Sequence, residues 1–380
     1  MKVKKIIFIT LDGFRKDKID LCPTLKSIKQ DGIYFSGLNT VTPYTFAAHH
    51  AIFSGMYPAR NGVNGYYKIF RFKKDEITTL AELLQKNGFY TVSETLTETV
   101  LPKQGFDEYN LFEEDTVDLK SRHKELIKKL SKKDKFFAFL HFTDTHLHYV
   151  RKVIDKYEKL NGDEFFKFKK ENSDKYEACI PLADDYIAEI KNALIENGLS
   201  ENTLLVIISD HGTSLGEKLG EKFYGVFVYE YTINVFCILY HSKLESKVVT
   251  QQCRTIDLYP TILELAGIKN TVTSQIQGES LLNLVKNDTA DDRDIFVETG
   301  GLYGPWPSPE RHNVFCIKAN KKKLIYNDEP QTWEFYDLEN DPNEENNIYV
   351  ENSKVIVSLK KLLLKHFKEN NIKTKLINPR

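Results

Sequence analysis

The sequence predicts an α/β protein: an α/β/α sandwich with a mostly parallel central sheet, followed by a small C-terminal antiparallel subdomain. Short apolar runs alternate with amphipathic helical patterns over the first three quarters of the chain, which is typical of parallel sheets covered by helices. Two of these runs, 136–142 and 203–209, are almost wholly apolar, as in strands buried on both faces. After about residue 286, short runs joined by turns replace the alternation.

The elements can be assigned in order along the chain. Glycines close several of the helical patterns, and β-branched or aromatic residues are frequent in the strand patterns. The predicted strands lie at 4–10, 34–39, 89–94, 135–142, 203–209, within 229–240, and at 295–298, 314–319, 323–326 and 334–336. The predicted helices lie at 22–29, 46–53, 78–87, 117–130, 176–197, 257–266 and 355–367, and 150–175 is predicted as a solvated helical excursion.

Length and composition set the organisation of the chain. Its 380 residues are 41% hydrophobic, which is a globular composition. We expect a core at 1–285 and a small antiparallel sheet with a closing helix, packed on that core, at 286–380. The formal net charge is −1, so no basic field predicts a nucleic-acid partner, and no apolar run is long enough for stable membrane insertion.

The five cysteines are odd in number and scattered, with no CxxC pair. This pattern favours reduced thiols and a cytoplasmic protein. The N-terminal basic and apolar segment imitates a signal peptide, but it is too short and ends at Asp12 without a cleavage site. It is therefore predicted to be the first buried strand.

The segment 42–58 is predicted to be a loop that turns into a helix. Pro43 disfavours helical geometry in the residue before it, Thr45 stands where an N-cap belongs, and Gly55 can end the helix. A hydroxyl at a helix N-terminus lies beside unpaired N–H groups, where a phosphate or sulfate can bind. Taken alone, this pattern is more often an ordinary helix cap.

Potential metal ligands follow several predicted strands directly. Asp12 follows the first strand, Asp144, His146 and His148 follow the strand 135–142, and the pair Asp210 and His211 follows the strand 203–209. Each could be an ordinary turn or surface residue. Because active sites of open α/β sheets lie at the carboxyl ends of strands, their joint occurrence indicates a site. Carboxylates with imidazoles suit Zn²⁺ or Mn²⁺ better than Mg²⁺ or Ca²⁺.

With these motifs in place, the chain resembles the alkaline phosphatase/sulfatase superfamily, over nearly its whole length and in the family's order. The resemblance implies the fold predicted above, with 1–285 as the catalytic core, and a metal-dependent ester hydrolase. It lies in the segments 11–17 (LDGFRKD), 48–63 (AHHAIFSGMYPARNGV), 197–217 (NGLSENTLLVIISDHGTSLGE), 257–268 (DLYPTILELAGI), 278–282 (GESLL) and 335–342 (FYDLENDP).

The resemblance implies a metal site built from Asp12, Thr45, Asp210 and His211. A second site is less defined: Asp144 and His148 have the spacing that two-zinc relatives use, but no late histidine completes it, because His241 and His312 stand in poor contexts. One metal ion, with His146 and His148 as catalytic or substrate-contacting groups and Asp144 contacting substrate, is favoured over two ions. Lys222 is expected to face the transferring group, and a solvated lysine is the alternative.

The nucleophile position departs from the sulfatases in this superfamily. Those enzymes convert a Cys or Ser to formylglycine within a Cys/Ser-x-Pro-x-Arg pattern. Here Thr45 stands at that position, no proline follows two residues later, and His49, expected to contact substrate, replaces the arginine. Because a threonine cannot yield the aldehyde, the resemblance favours an alkoxide nucleophile.

We therefore expect a hydrolase of phosphate esters, a phosphodiesterase or phosphomonoesterase, that works through a phospho-Thr45 intermediate. Its substrate is expected to be a small-molecule or glycan-linked phosphate ester. Three alternatives remain open: a phosphoethanolamine- or phosphoglycerol-type transferase acting on a glycan, a sulfuric ester hydrolase that works without formylglycine, and a metal-binding relative that has lost catalysis.

Overall fold

The computed structural model describes residues 2–65, 71–157, 163–301 and 313–377. This part of the chain contains fourteen strands in three sheets. The strands are β1 (Lys5–Leu11), β2 (Ile33–Phe35), β3 (Leu38–Asn39), β4 (Tyr90–Thr95), β5 (Glu108–Leu111), β6 (Phe136–Phe142), β7 (Thr203–Ser209), β8 (Cys237–Tyr240), β9 (Lys247–Val249), β10 (Cys253–Arg254), β11 (Ile295–Thr299), β12 (Val314–Ala319), β13 (Lys322–Asn327) and β14 (Thr332–Asp337).

The same residues form thirteen α-helices, and none of these helices is long and apolar enough to cross a membrane. They are α1 (Pro23–Asp31), α2 (Thr45–Ser54), α3 (Pro58–Asn61), α4 (Leu80–Lys86), α5 (Leu119–Leu130), α6 (Asp144–Tyr157), α7 (Glu164–Lys167), α8 (Lys169–Glu177), α9 (Ile180–Glu196), α10 (Glu230–Ile233), α11 (Leu258–Ala266), α12 (Leu282–Lys286) and α13 (Lys354–Glu369).

The central sheet has eight strands in the order β5-β4-β6-β1-β7-β8-β2-β9. Its middle is parallel: β1 lies between β6 and β7, and Leu11 at its end pairs with both Phe142 and Ser209. The residues that directly follow these three strands therefore lie close together at one edge of the sheet. β8 runs antiparallel to both of its neighbours, β7 and β2. The predicted, mostly parallel α/β fold is confirmed.

Two helical layers cover this sheet because side chains alternate between its faces. Ile7 and Ile9 of β1 belong to a core shared with α1, α5 and α9. Ile6 and Phe8 point the other way, into a core shared with α2, α4 and α11. Every residue of β6 and β7 is buried, as their continuous apolar sequences predicted.

The C-terminal sheet is antiparallel, in the order β11-β12-β13-β14, which confirms the predicted small subdomain sheet. One face packs on the apolar side of α13, where Leu359 and Leu363 contact the core that includes Ile317. The other face packs on Val228 and Ile233, which lie just before β8. The division of the chain between residues 285 and 286 stays a prediction.

Some predicted elements differ in detail. The predicted strand at 34–39 is two short strands, β2 and β3, which belong to different sheets. The predicted helix at 176–197 is the end of α8 and then α9, which restarts at Ile180 with a proline in its first turn. The five cysteines are all free and buried. The predicted cytoplasmic location stays a prediction.

Candidate active site

Three predicted ligands meet at the carboxyl ends of β1 and β7. One ligand atom from each of Asp12, Asp210 and His211 can be chosen so that all three atoms lie within 4.8 Å of one another. All three residues are buried, and within the described residues they form the group able to hold a metal ion. The register of β1 and β7 produces this meeting, because Leu11 pairs with Ser209 and the ligands follow directly.

Asp210 has one satisfied and one free carboxylate oxygen. Its Oδ1 accepts hydrogen bonds from the backbone N–H of Gly13 at 3.2 Å and of His211 at 3.0 Å. Its Oδ2 is buried and has no hydrogen-bond partner in the described structure. Burial raises the pKa of Asp210 to about 6. Because an unpartnered buried carboxylate oxygen is costly, this atom fits a bound cation.

His211 presents a lone pair to the same point. Its Nδ1 lies 2.7 Å from the carbonyl oxygen of Gly212, which can only accept, so Nδ1 carries the proton. Its Nε2 is then unprotonated in the neutral ring and lies 3.1 Å from the Thr45 hydroxyl oxygen. The ring of Tyr224 stacks on the imidazole, with centroids 4.4 Å apart, and fixes its plane. The histidine is therefore oriented as a metal ligand.

Thr45 completes the predicted quartet, but it is not the helix cap that the sequence predicted. Helix α2 begins at Thr45, and the extended residue Tyr44 precedes it without a side-chain capping bond. The Thr45 hydroxyl instead lies 3.3 and 3.4 Å from the two carboxylate oxygens of Asp12. The structure thus turns this hydroxyl toward the ligand group, next to the positive end of the α2 dipole.

His141 is a neighbour of the site that the sequence analysis missed. It lies in β6 beside Thr10, and its Nε2 donates a hydrogen bond of 2.9 Å to Oδ2 of Asp12. Burial raises the pKa of Asp12, but His146, His141 and His211 outweigh it and hold that pKa well below its usual range. A histidine in an otherwise apolar strand, one residue before its end, was the available sequence signal.

His146 lies at this site, whereas Asp144 and His148 do not join the ligand group. The His146 ring lies edge-on to Tyr224, with centroids 5.0 Å apart, and its buried Nδ1 has no hydrogen-bond partner among the described residues. Burial lowers the pKa of His146 to about 4, so the ring is neutral at neutral pH. Asp144 begins α6 and His148 is exposed one turn later. The preference for one metal ion over two stays a prediction.

The other candidate residues from the sequence are His49, Lys222, His241 and His312. His49 is fully buried in α2, with Nε2 3.0 Å from the Thr10 hydroxyl, so it is not placed to contact a substrate. Lys222 is half-buried, two residues before Tyr224, and its role stays a prediction. His241 lines a separate cavity with Lys2 and Lys5, where β1 begins. His312 lies outside the described residues.

The comparisons with known proteins agree on one family. The sequence profile described as Sulfatase matches residues 4–268, and the profile described as N-sulphoglucosamine sulphohydrolase, C-terminal, matches residues 220–370. The N-acetylglucosamine-6-O-sulfatase of Bacteroides thetaiotaomicron is 31% identical over 208 residues, which cover 52% of this chain and 36% of that protein. This chain therefore spans little more than a third of that relative's length.

Two further similarities extend over most of the chain. The ulvan-active sulfatase of Formosa agariphila is 25% identical over 386 residues, which cover 88% of this chain and 74% of that protein. A protein solved in complex with its substrate D-glucosamine-2-N,6-O-disulfate superposes with a TM-score of 0.77. It is 20% identical and covers 97% of this chain and 98% of its own, and at that identity the similarity shows the fold alone.

These relatives overturn the predicted phosphate-ester chemistry. They are named sulfatases and point to hydrolysis of sulfate esters, so the predicted phosphoric ester hydrolase, with its phosphate-ester substrate and phospho-Thr45 intermediate, is wrong. The physical reason is that sulfate and phosphate groups are both tetrahedral oxyanions. The same carboxylates, imidazole and hydroxyl can bind either, so the residue type at one position did not distinguish them.

Proposed function

Because the chain belongs to the Sulfatase family, within the alkaline phosphatase/sulfatase superfamily, we propose that it is a metal-dependent hydrolase of sulfate esters on sugars. One observation carries the proposal: the Thr45 hydroxyl lies within 3.4 Å of Asp12 and His211, over the predicted metal ligands. The names of its relatives support a sulfated amino sugar or sulfated glycan as the substrate class.

Asp12, Asp210 and His211 would hold the divalent metal that this family uses. The residues fit such an ion, because the buried Oδ2 of Asp210 has no other partner in the described structure and the Nε2 lone pair of His211 points to the same place. A bound divalent cation supplies positive charge for the sulfate oxygens. Two carboxylates with one imidazole favour Mn²⁺ or Zn²⁺ over Ca²⁺ or Mg²⁺, and elemental analysis of the purified protein tests that choice.

Thr45 is the residue that we assign to contact the sulfate group. Its hydroxyl has two acceptors, Asp12 and His211, that polarise the O–H bond, and the α2 N-terminus adds a positive potential for an oxyanion. Since threonine cannot become formylglycine, the hydroxyl itself is the proposed nucleophile toward sulfur. As its oxygen bonds to sulfur, the bond from sulfur to the sugar oxygen breaks, and the sugar leaves as an alcohol with the proton that Thr45 gives up. Water then hydrolyses the sulfo-threonine, which releases sulfate and restores the hydroxyl. His146, neutral at neutral pH and with a free Nδ1, is suited to hydrogen bonding with the sulfate rather than to carrying charge.

Release of sulfate from a panel of esters tests this function. The panel contains 6-O-sulfated glucosamine and a 2-O-sulfated uronic acid as sulfate esters, N-sulfated glucosamine as a sulfamate, and nitrophenyl phosphate as the competing phosphate ester. We expect sulfate release by the natural protein and by Thr45→Ser, and a loss of about 10⁶-fold in kcat for Thr45→Ala, because that is the order of loss when the covalent nucleophile of a hydrolase is removed. Turnover of the phosphate ester alone, with no sulfate released, would overturn the proposal.

A further inference from the structure

A second polar cavity lies between the core and the small C-terminal sheet. It has a volume of about 330 Å³, and residues from the end of α3, from β11 and from the segment after α13 line it. The side chains that matter here are all polar or charged: Asn64, Arg71, Glu298, Asn313, Asn371 and Lys373. The mechanism proposed above uses none of them.

Two cations in this lining have no counter-charge. Arg71 and Lys373 are exposed, and neither forms an ion pair with any described residue. Their positions are set by the backbone. The carbonyl oxygen of Arg71 lies against Gly62 and leaves no room there for a Cβ, and Gly62 also has a positive φ of 98°. Beyond α13, Asn371 takes a left-handed φ of 54° and directs Lys373 to the cavity. The lining therefore presents two cations that form no ion pair with a described residue.

Two buried groups in the lining favour a ligand that has both an anion and hydroxyls. Glu298 is 3% exposed, and one of its oxygens accepts from the N–H of Ala59 at 2.9 Å. Burial raises the pKa of Glu298 to about 7, so below that pH its neutral carboxyl can donate to an oxyanion. The Oδ1 of Asn313 is buried without a hydrogen-bond partner within the described residues. A ligand O–H would satisfy it.

The cavity is joined to the catalytic site through two contacts. Thr299, in the cavity wall, donates a hydrogen bond from its hydroxyl to the carbonyl of Gly225. Gly225 in turn packs against Tyr44, because a Cβ at Gly225 would lie 3.7 Å from the Cβ of Tyr44. Tyr44 directly precedes Thr45. These two contacts connect the cavity wall to the residue that precedes Thr45.

We propose that this cavity is a substrate subsite that binds a second sulfate group, on a sugar next to the one being hydrolysed. The guanidinium of Arg71 and the ammonium of Lys373 contact the sulfate, and the Oδ1 of Asn313 accepts a hydrogen bond from a sugar hydroxyl. This assignment rests on the proposed sulfate-ester hydrolysis. It makes the protein selective for sulfated oligosaccharides over a sulfated monosaccharide.

Kinetics with matched substrates and variants test the subsite. Arg71→Ala and Lys373→Ala are compared with Lys361→Ala, which removes an exposed cation from α13 outside the cavity lining. With a sulfated oligosaccharide carrying a second sulfate, we expect KM to rise about three- to tenfold in each cavity variant, with kcat unchanged. Lys361→Ala, the monosaccharide, and the oligosaccharide without its second sulfate should show no such rise.

The subsite is overturned if a double Arg71→Ala, Lys373→Ala variant has the same KM for the doubly sulfated oligosaccharide as the natural protein. In that case, continued release of sulfate would still support the proposed function. If the natural protein releases no sulfate, that function fails, and calorimetric binding of the same oligosaccharide decides the subsite. Weaker binding by the double variant than by the natural protein supports it, and equal binding overturns it.

Discussion

His141 offers a sharp test of how the metal site is built. Its Nε2 donates a 2.9 Å hydrogen bond to the Asp12 carboxylate, and both side chains are buried. A hydrogen bond to a charged group contributes about 1.5–3 kcal/mol. At about 1.4 kcal/mol per factor of ten, its loss weakens metal binding by about 10–100-fold. That range agrees with the effect of removing the groups that orient metal ligands in other sites. We therefore expect this loss in His141→Leu.

Calorimetric titration of the metal-free protein with Mn²⁺ and with Zn²⁺ measures the effect. His141→Gln, whose amide can replace the Nε2–H donor, should recover most of the affinity. His366→Leu is the matched control, because His366 is also buried but lies in the small subdomain, stacked on Phe296. If His141→Leu binds metal as tightly as the natural protein and the control, the hydrogen bond to Asp12 does not support the site and the reasoning is refuted.

Three further outcomes are expected. Burial raises the pKa of Glu221 to about 7 from an ordinary 4.5, so the stability that the protonated carboxyl contributes is lost as pH rises from 4.5 to 7. Glu221→Gln should therefore flatten the dependence of Tm on pH over that range. An unchanged slope of Tm against pH would contradict this expectation. Asp257 is fully buried and forms ion pairs with Arg254 and Arg293. Asp257→Asn should therefore lower the free energy of unfolding, measured in urea, by about 3–5 kcal/mol. A loss under about 1 kcal/mol would refute the importance of these ion pairs. A chelator should lower the Tm of the natural protein but not that of Asp210→Ala; equal shifts would exclude Asp210 as a ligand.

The candidate ligands were predictable because both their residue types and their positions at the ends of strands can be read from the sequence. Asp12 and the pair Asp210 and His211 directly follow apolar strands, so their meeting required only that β1 and β7 be parallel neighbours in register. His141 was missed because it lies within a strand, and its partner Asp12 is 129 residues away in sequence. His49 shows the opposite error: it replaces the arginine of the sulfatase pattern, which suggested substrate contact, but the helix turns it into the core.

The sequence by itself determined the fold class, the family and the candidate ligand residues, because hydrophobic periodicity and short motifs are local properties of the chain. The tertiary structure decided which of those residues converge. It turned the Thr45 hydroxyl from a cap into a neighbour of Asp12 and His211. Within the described part of the chain, it left one oxygen of Asp210 without a partner and placed two unpaired cations at a second cavity. Such arrangements depend on strand register and on contacts between segments far apart in the chain, which no local pattern encodes.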